Sequence, residues 1–240
     1  MSTASSLMSP LASSLPAPRA LRVVIGECVA IPAEVADLNS FCDWAISDRF
    51  PGGQYSYLRG AIWVDLSMET LYTHNQVKAE FTEVLRALVK SSDLGRFIPD
   101  AMLLRNTEAD LSTEPDGMFV SYAALQSGRV RRIERKASDY LELEGTPEMV
   151  LEVVSETSVH KDTEELRELY WHAGILEYWL VDARATTPRF ELLRHGRKGY
   201  TSTRKQAGGW MQSNVFGRAF QLTQTVDPLG DPLYVLNVRS

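Results

Sequence analysis

Apolar positions along the chain switch between a helical period and a period of two. From His74 to Lys90, "HNQVKAEFTEVLRALVK" sets Val77, Phe81, Val84, Leu85 and Leu88 on one stripe, which predicts an amphipathic helix. Residues 32–48 place Val35, Leu38, Phe41, Cys42 and Ala45 at similar spacing and predict a second helix. "PGGQ" then breaks the chain, and "YSYLRG" with "AIWVDLS" predicts a hairpin turning at Arg59-Gly60. "LRVVIGECVAI" from Leu21, "AMLLRN" and "MFVSY" predict further strands. "DYLELEG" alternates Tyr140, Glu142 and Glu144 with Leu141 and Leu143, the pattern of a half-exposed strand.

The apolar signal is densest in "EMVLEVVS", residues 148–155. Met149, Leu151 and Val153 share one face of that strand, while Val150, Glu152 and Val154 share the other. Both faces are apolar, so a central strand covered on both sides is expected. "DTEELRELYWHAG" follows as a helix, with Asp162 and Glu165 at capping-box spacing and Gly174 at its end. "ILEYWLVDA" is the next buried strand, expected parallel to "EMVLEVVS" through one crossover. "RFELLRHGRKGYTSTR" reads as a terminal hairpin.

These elements predict a mixed α/β domain over residues 21–240 with a C-terminal β-hairpin. The Ser-, Ala- and Pro-rich residues 1–20 are expected to form a disordered lead-in. The chain has 240 residues, 44% hydrophobic and 23% charged, enough to bury a core without a metal or disulfide staple. No apolar run reaches the roughly 20 residues of a membrane span, and a cytoplasmic location is expected. Cys28 and Cys42 lack a second pair for a zinc site. A net charge of −6 argues against a protein that coats nucleic acid by bulk charge. It leaves room for an enzyme with acids around a metal and basic residues in a local patch. No Gly-x-Ser-x-Gly elbow or phosphate-binding glycine loop is present.

Glu152 is the anomaly. An unpaired carboxylate in that strand costs several kcal/mol, so a cation side chain, a raised pKa or a metal ion must compensate it. Pro115-Asp116-Gly117 places a second carboxylate at the mouth of "MFVSY". Alone that tripeptide is a turn. Together with Glu152 it suggests a hard divalent cation, Mg²⁺ or Mn²⁺, held by oxygen.

Glu114-Pro115-Asp116-Gly117, "MVLEVVS" and "LRELYWHAGILEYWLVD", with "HNQVK" and "GAIWVDLS", resemble the Uma-two restriction endonuclease family of the PD-(D/E)XK nuclease superfamily. The likeness covers roughly residues 50–195. It implies a restriction-endonuclease-like core, a central mixed β-sheet flanked by helices, and metal-dependent hydrolysis of DNA phosphodiester bonds. Asp116 and Glu152 would be metal ligands, joined by the main-chain oxygen of Val153 and by a helical acid, Glu80; Glu142 is a weaker option.

The pattern also breaks. Val154 stands where the superfamily motif has its lysine, and Leu166 stands where the family moves that lysine. Lys161 is the expected substitute. Arg129, Arg131, Arg132, Arg135 and Lys136, a basic excursion, are expected to contact DNA phosphate, as are residues around Arg194 and Arg204 and His74. The alternative is a nuclease fold without catalysis, acting as a DNA- or protein-binding module. A two-fold homodimer would suit cutting both strands of a duplex.

Overall fold

A computed structural model describes residues 24–25, 29–51, 53–65, 67–136 and 139–240. The expected lead-in at 1–20 and the side chains of Arg135 and Lys136 lie outside the described parts. Two compact units divide at Ala36. Within the first, β1 (Val24–Ile25) and β2 (Val29–Ala30) form a short antiparallel pair.

The second unit opens on α1 (Leu38–Ala45). It starts later than the apolar spacing suggested because Asp37 caps it. The Asp37 carboxylate accepts from the Ser40 amide, and Ser40 Oγ accepts from the Asp37 amide. The expected hairpin follows as β3 (Gln54–Leu58) and β4 (Ala61–Asp65). A wide π turn, Leu71–Gln76, then leads into α2 (Val77–Ser91), which buries Val77, Phe81, Leu85 and Val89.

The core is a six-stranded mixed sheet. Its strands are β5 (Gly95–Pro99), β8 (Gly117–Ser121), β11 (Met149–Val153), β12 (Glu177–Asp182), β13 (Arg189–Gly196) and β14 (Gly199–Ser202). They lie in the order β14-β13-β12-β11-β8-β5. Only β11 and β12 run parallel, joined by a second π turn (Lys161–Glu165) and α4 (Leu166–His172). That is the crossover the apolar runs predicted. A second six-stranded sheet, order β4-β3-β7-β6-β10-β9, adds β6 (Leu103–Asn106), β7 (Leu111–Thr113), β9 (Val130–Lys136) and β10 (Asp139–Gly145). The short α3 (Tyr122–Ser127) links β8 to β9.

β11 separates two cores, as its two apolar faces require. Val150 and Val154 pack with Leu166, Leu169 and Tyr170 of α4 and with Leu104, Leu111 and Leu143 of the second sheet. Met149, Leu151 and Val153 pack with α2 and with the C-terminal residues. Those C-terminal residues are a departure from expectation. The hairpin β13–β14 is not terminal: β15 (Met211–Gln212), β16 (Ala219–Val226) and β17 (Pro232–Arg239) form a third, antiparallel sheet. Its Phe216 and Phe220 rings meet Trp179 at 5.6 and 4.7 Å.

Two further expectations change. In β10, Leu141 is half exposed while Glu142 is buried, because Cys42 and Arg105 surround that carboxyl. The basic excursion runs into strand β9, and Arg129, Arg131 and Arg132 are already engaged. Arg129 pairs with Glu148, Arg131 lies 2.9 Å from Glu144, and Arg132 covers the Tyr140 ring at 4.8 Å.

Candidate active site

β8 and β11 pair antiparallel with Gly117 opposite Leu151. One step further along that register sets Asp116 across from Glu152, and directly opposed residues hold their Cβ atoms about 5 Å apart. Both carboxylates are buried, and both line one cleft with Glu69, His74, Glu114, Lys161 and Asp162. The chain bends at Asp116 as it enters β8, and a side chain at Gly117 would collide with the Phe97 ring at 2.7 Å.

Each acid has fixed partners. Asp116 Oδ2 accepts from the Val153 amide at 2.7 Å. Glu152 Oε1 accepts from the Tyr170 hydroxyl at 2.6 Å. Tyr170 is thus more than a packing residue of α4: it holds the central carboxyl. Burial, then the nearby Asp162 and Asp116, push Glu152 far above the ordinary carboxylate range; Lys161 and Tyr170 only partly oppose this. Burial likewise raises Asp116. Asp162 is pushed up to about 6 by burial, against the pull of Lys161 and Ser158. Glu114, half-buried at the rim, is pushed up to about 7 by burial and by Asp100.

The two π turns deliver the remaining groups, a distortion frequent at functional sites. The second carries Lys161 and Asp162. Lys161 lines the cleft, its Nζ 3.6 Å from Asp162 Oδ1. Burial alone would depress its ammonium, but Asp162, Glu152 and Asp116 hold it above its ordinary value. Asp162 does not cap a helix as its spacing with Glu165 suggested. It is 1% exposed, accepts from Ser158 Oγ, and sits inside the turn, where its amide donates to the Ser158 carbonyl at 2.8 Å. Leu166 is fully buried in the core, one turn before Tyr170.

The first π turn carries His74. Its Nδ1 lies 3.4 Å from Glu69 Oε2 and its Nε2 3.7 Å from Asp116 Oδ2. The ring is 6% exposed, so it is no open substrate contact, and its Nδ1 has no hydrogen-bond partner. Ligand atoms of Glu69, His74 and Asp116 all lie within 4.8 Å of one another, a spread one divalent ion can span with bonds of about 2.0–2.6 Å. Two carboxylates and one imidazole, whose Nδ1 has no hydrogen-bond partner, fit such an ion, and mutual repulsion of the buried acids favours one.

Glu80 stands apart. Its Oε1 accepts from the Leu236 amide of β17 at 2.7 Å, so it anchors the third sheet instead of joining Asp116 as expected. Arg129, Arg131 and Arg132 also lie outside the cleft lining. The sequence pattern assigns none of Lys78, Glu69, Asp162 and Asp100 to a site; Asp162 reads as a helix cap and Asp100 as a loop carboxylate. Lys78 carried a usable signal: it stands three and seven residues before Phe81 and Leu85, inside the apolar stripe, just as Glu152 stands inside an apolar strand.

The profile of the Uma2 family, described as "Putative restriction endonuclease", matches residues 38–225. The chain belongs to the Uma2 family. Among solved structures, it is similar to a crystal structure described as "a putative nuclease belonging to DUF820" from Anabaena variabilis ATCC 29413. The TM-score is 0.55 at 16% identity, over 75% of this chain and 90% of that one. At that identity the likeness concerns the fold: a mixed α/β architecture shared with a nuclease-fold protein. No curated protein matches the chain. Among the described residues, no helix is long and apolar enough to cross a membrane.

Proposed function

We propose that this Uma2 protein is a divalent-metal-dependent endonuclease that hydrolyses DNA phosphodiester bonds. The observation that carries this reading is the opposition of Asp116 and Glu152 across two paired strands, with Lys161 lining the same cleft. Asp116, Glu152 and the main-chain oxygen of Val153 would hold a Mg²⁺ or Mn²⁺ ion. Glu69 and His74 lie against the same carboxylate, Asp116, and would complete the set around that one ion. When bound, the ion would polarise the scissile phosphate and lower the pKa of a water molecule.

The chain's own groups have distinct tasks. The Val153 amide and the Tyr170 hydroxyl fix one oxygen each of Asp116 and Glu152, so the acids need little rearrangement on loading. Lys161 supplies the positive charge that Val154 and Leu166 lack. Its ammonium orients the attacking water and offsets charge gathering on the phosphate oxygens. As the water oxygen joins phosphorus, one P–O ester bond breaks and the leaving oxygen takes a proton.

Lys161→Ala separates these tasks. Plasmid cleavage is expected to fall by ~10²-fold or more, the scale of losing one aimed donor. Mn²⁺ affinity by calorimetry is expected to stay equal or rise, because a cation leaves the cleft. Unchanged cleavage in this variant would remove Lys161 from the mechanism. Absence of cleavage and of Mn²⁺ binding in the parent protein would favour the non-catalytic module, which the buried Leu166 already allows.

A further inference from the structure

Lys78 is the most heavily engaged cation in the cleft region. It is 8% exposed and lies one turn beyond His74 on α2. Its ammonium donates to Glu69 Oε1 at 2.7 Å and to Asp100 Oδ2, and it lies 3.2 Å from Asp116 Oδ1. Three carboxylates from three separate segments therefore converge on one point, and an ammonium sits at that point. Convergent carboxylate oxygens are the donor set of a hard divalent ion.

Two of those carboxylates face both ways. Glu69 gives Oε1 to Lys78, while its Oε2 lies 3.4 Å from His74 Nδ1. Asp116 gives Oδ1 to Lys78, while its Oδ2 lies 3.7 Å from His74 Nε2. Bridging carboxylates of this kind join paired ions about 3.5–4 Å apart in two-metal hydrolases. Here one side of the bridge is closed by a lysine. On the other side Glu69 Oε2 faces the buried Nδ1 of His74, which has no hydrogen-bond partner, and Asp116 Oδ2 faces its Nε2.

We infer that the Lys78 ammonium occupies the place of a second metal ion, so that the cleft takes one divalent ion per chain and takes two once that lysine is removed. This rests on the metal-binding reading above. A tethered cation at the second position cannot be lost to dilution or chelators. It also keeps Glu69 and Asp116 oriented before the ion arrives, and its charge opposes a second dication close by.

The experiment is a Mn²⁺ titration of the full chain, by calorimetry and by electron paramagnetic resonance, for the parent protein, Lys78→Ala and Lys78→Arg. One ion is expected for the parent and for Lys78→Arg, which keeps the charge. Two are expected for Lys78→Ala, with the spectral broadening of a coupled Mn²⁺ pair. Loss of three carboxylate contacts can unfold metal-free Lys78→Ala, so circular dichroism is followed during the titration; recovery of structure at two ions per chain supports the inference equally. Two ions in the parent, one in folded Lys78→Ala, or failure of Lys78→Ala to gain structure at saturating Mn²⁺ each overturns it. No ion in the parent under any condition overturns the metal reading itself, whatever Lys78 does.

Discussion

Glu152→Gln is expected to abolish Mn²⁺ binding, to cut DNA cleavage by at least about 10²-fold, and yet to make the metal-free protein harder to unfold. The first two effects follow from its place opposite Asp116. Removing a group that merely supports a metal ligand costs about 10–100-fold, and a ligand itself costs more. The third follows from burial. Glu152 is 3% exposed, and burial, Asp162 and Asp116 raise its proton affinity in the folded state. Below the ordinary carboxylate range both folded and unfolded chains hold the proton, and the residue is neutral to stability. As pH rises the unfolded chain releases its proton first, so the folded state loses ground up to its raised pKa. Gln keeps an oxygen for the Tyr170 hydroxyl and has no charge to desolvate. The variant's advantage is therefore expected to be absent in acid and to grow towards pH 8. Urea melts of both metal-free proteins at several pH values check this; a variant less stable than the parent at pH 8 would contradict it.

Trp179→Ala is expected to destabilise the protein by about 3–5 kcal/mol, the range for deleting a large buried ring. The indole is fully buried at the junction of three elements. It meets Phe81 of α2 at 6.3 Å, Phe190 of β13 at 5.4 Å, and Phe216 and Phe220 of the C-terminal segment. Its Nε1 donates to Glu177, whose carboxylate also accepts from Ser213 and the Asn214 amide. The ring thus joins the central sheet both to α2, the helix of Lys78, and to the third sheet. Equilibrium denaturation measures the loss, and a change under about 1 kcal/mol would mean that the third sheet is not integral to this core.

The buried features announced themselves in sequence wherever a charge interrupted an apolar pattern. Glu152 inside "MVLEVV" located the cleft, and the two apolar faces of that strand foretold two cores. Lys78 broke its helical stripe in the same way. Glu80 itself was misplaced because helical period cannot tell a residue at the site from one anchoring a distant strand; the Leu236 amide decides that. Glu69 gave no local signal and Asp162 gave that of a helix cap, since Glu69 precedes one π turn and Asp162 lies inside the other, and the sequence does not mark their departure from helical period. The third sheet was missed because its strands expose much of both faces, including Val226, Leu233 and Val235, and so blur their alternation. Arg129, Arg131 and Arg132 drew attention as a charge cluster, although their partners Glu148, Glu144 and Tyr140 lie on neighbouring segments.

The central claim is that the acids of this cleft hold a divalent ion with which DNA is cut. The most direct measurement is cleavage of supercoiled plasmid by chelator-treated protein to which Mn²⁺ is returned, beside Glu152→Gln at equal concentration. Nicked and linear products are expected only when Mn²⁺ is restored, and are expected to fall at least about 10²-fold in the variant. Products that persist in excess chelator, or that Glu152→Gln forms as fast as the parent protein, would contradict it.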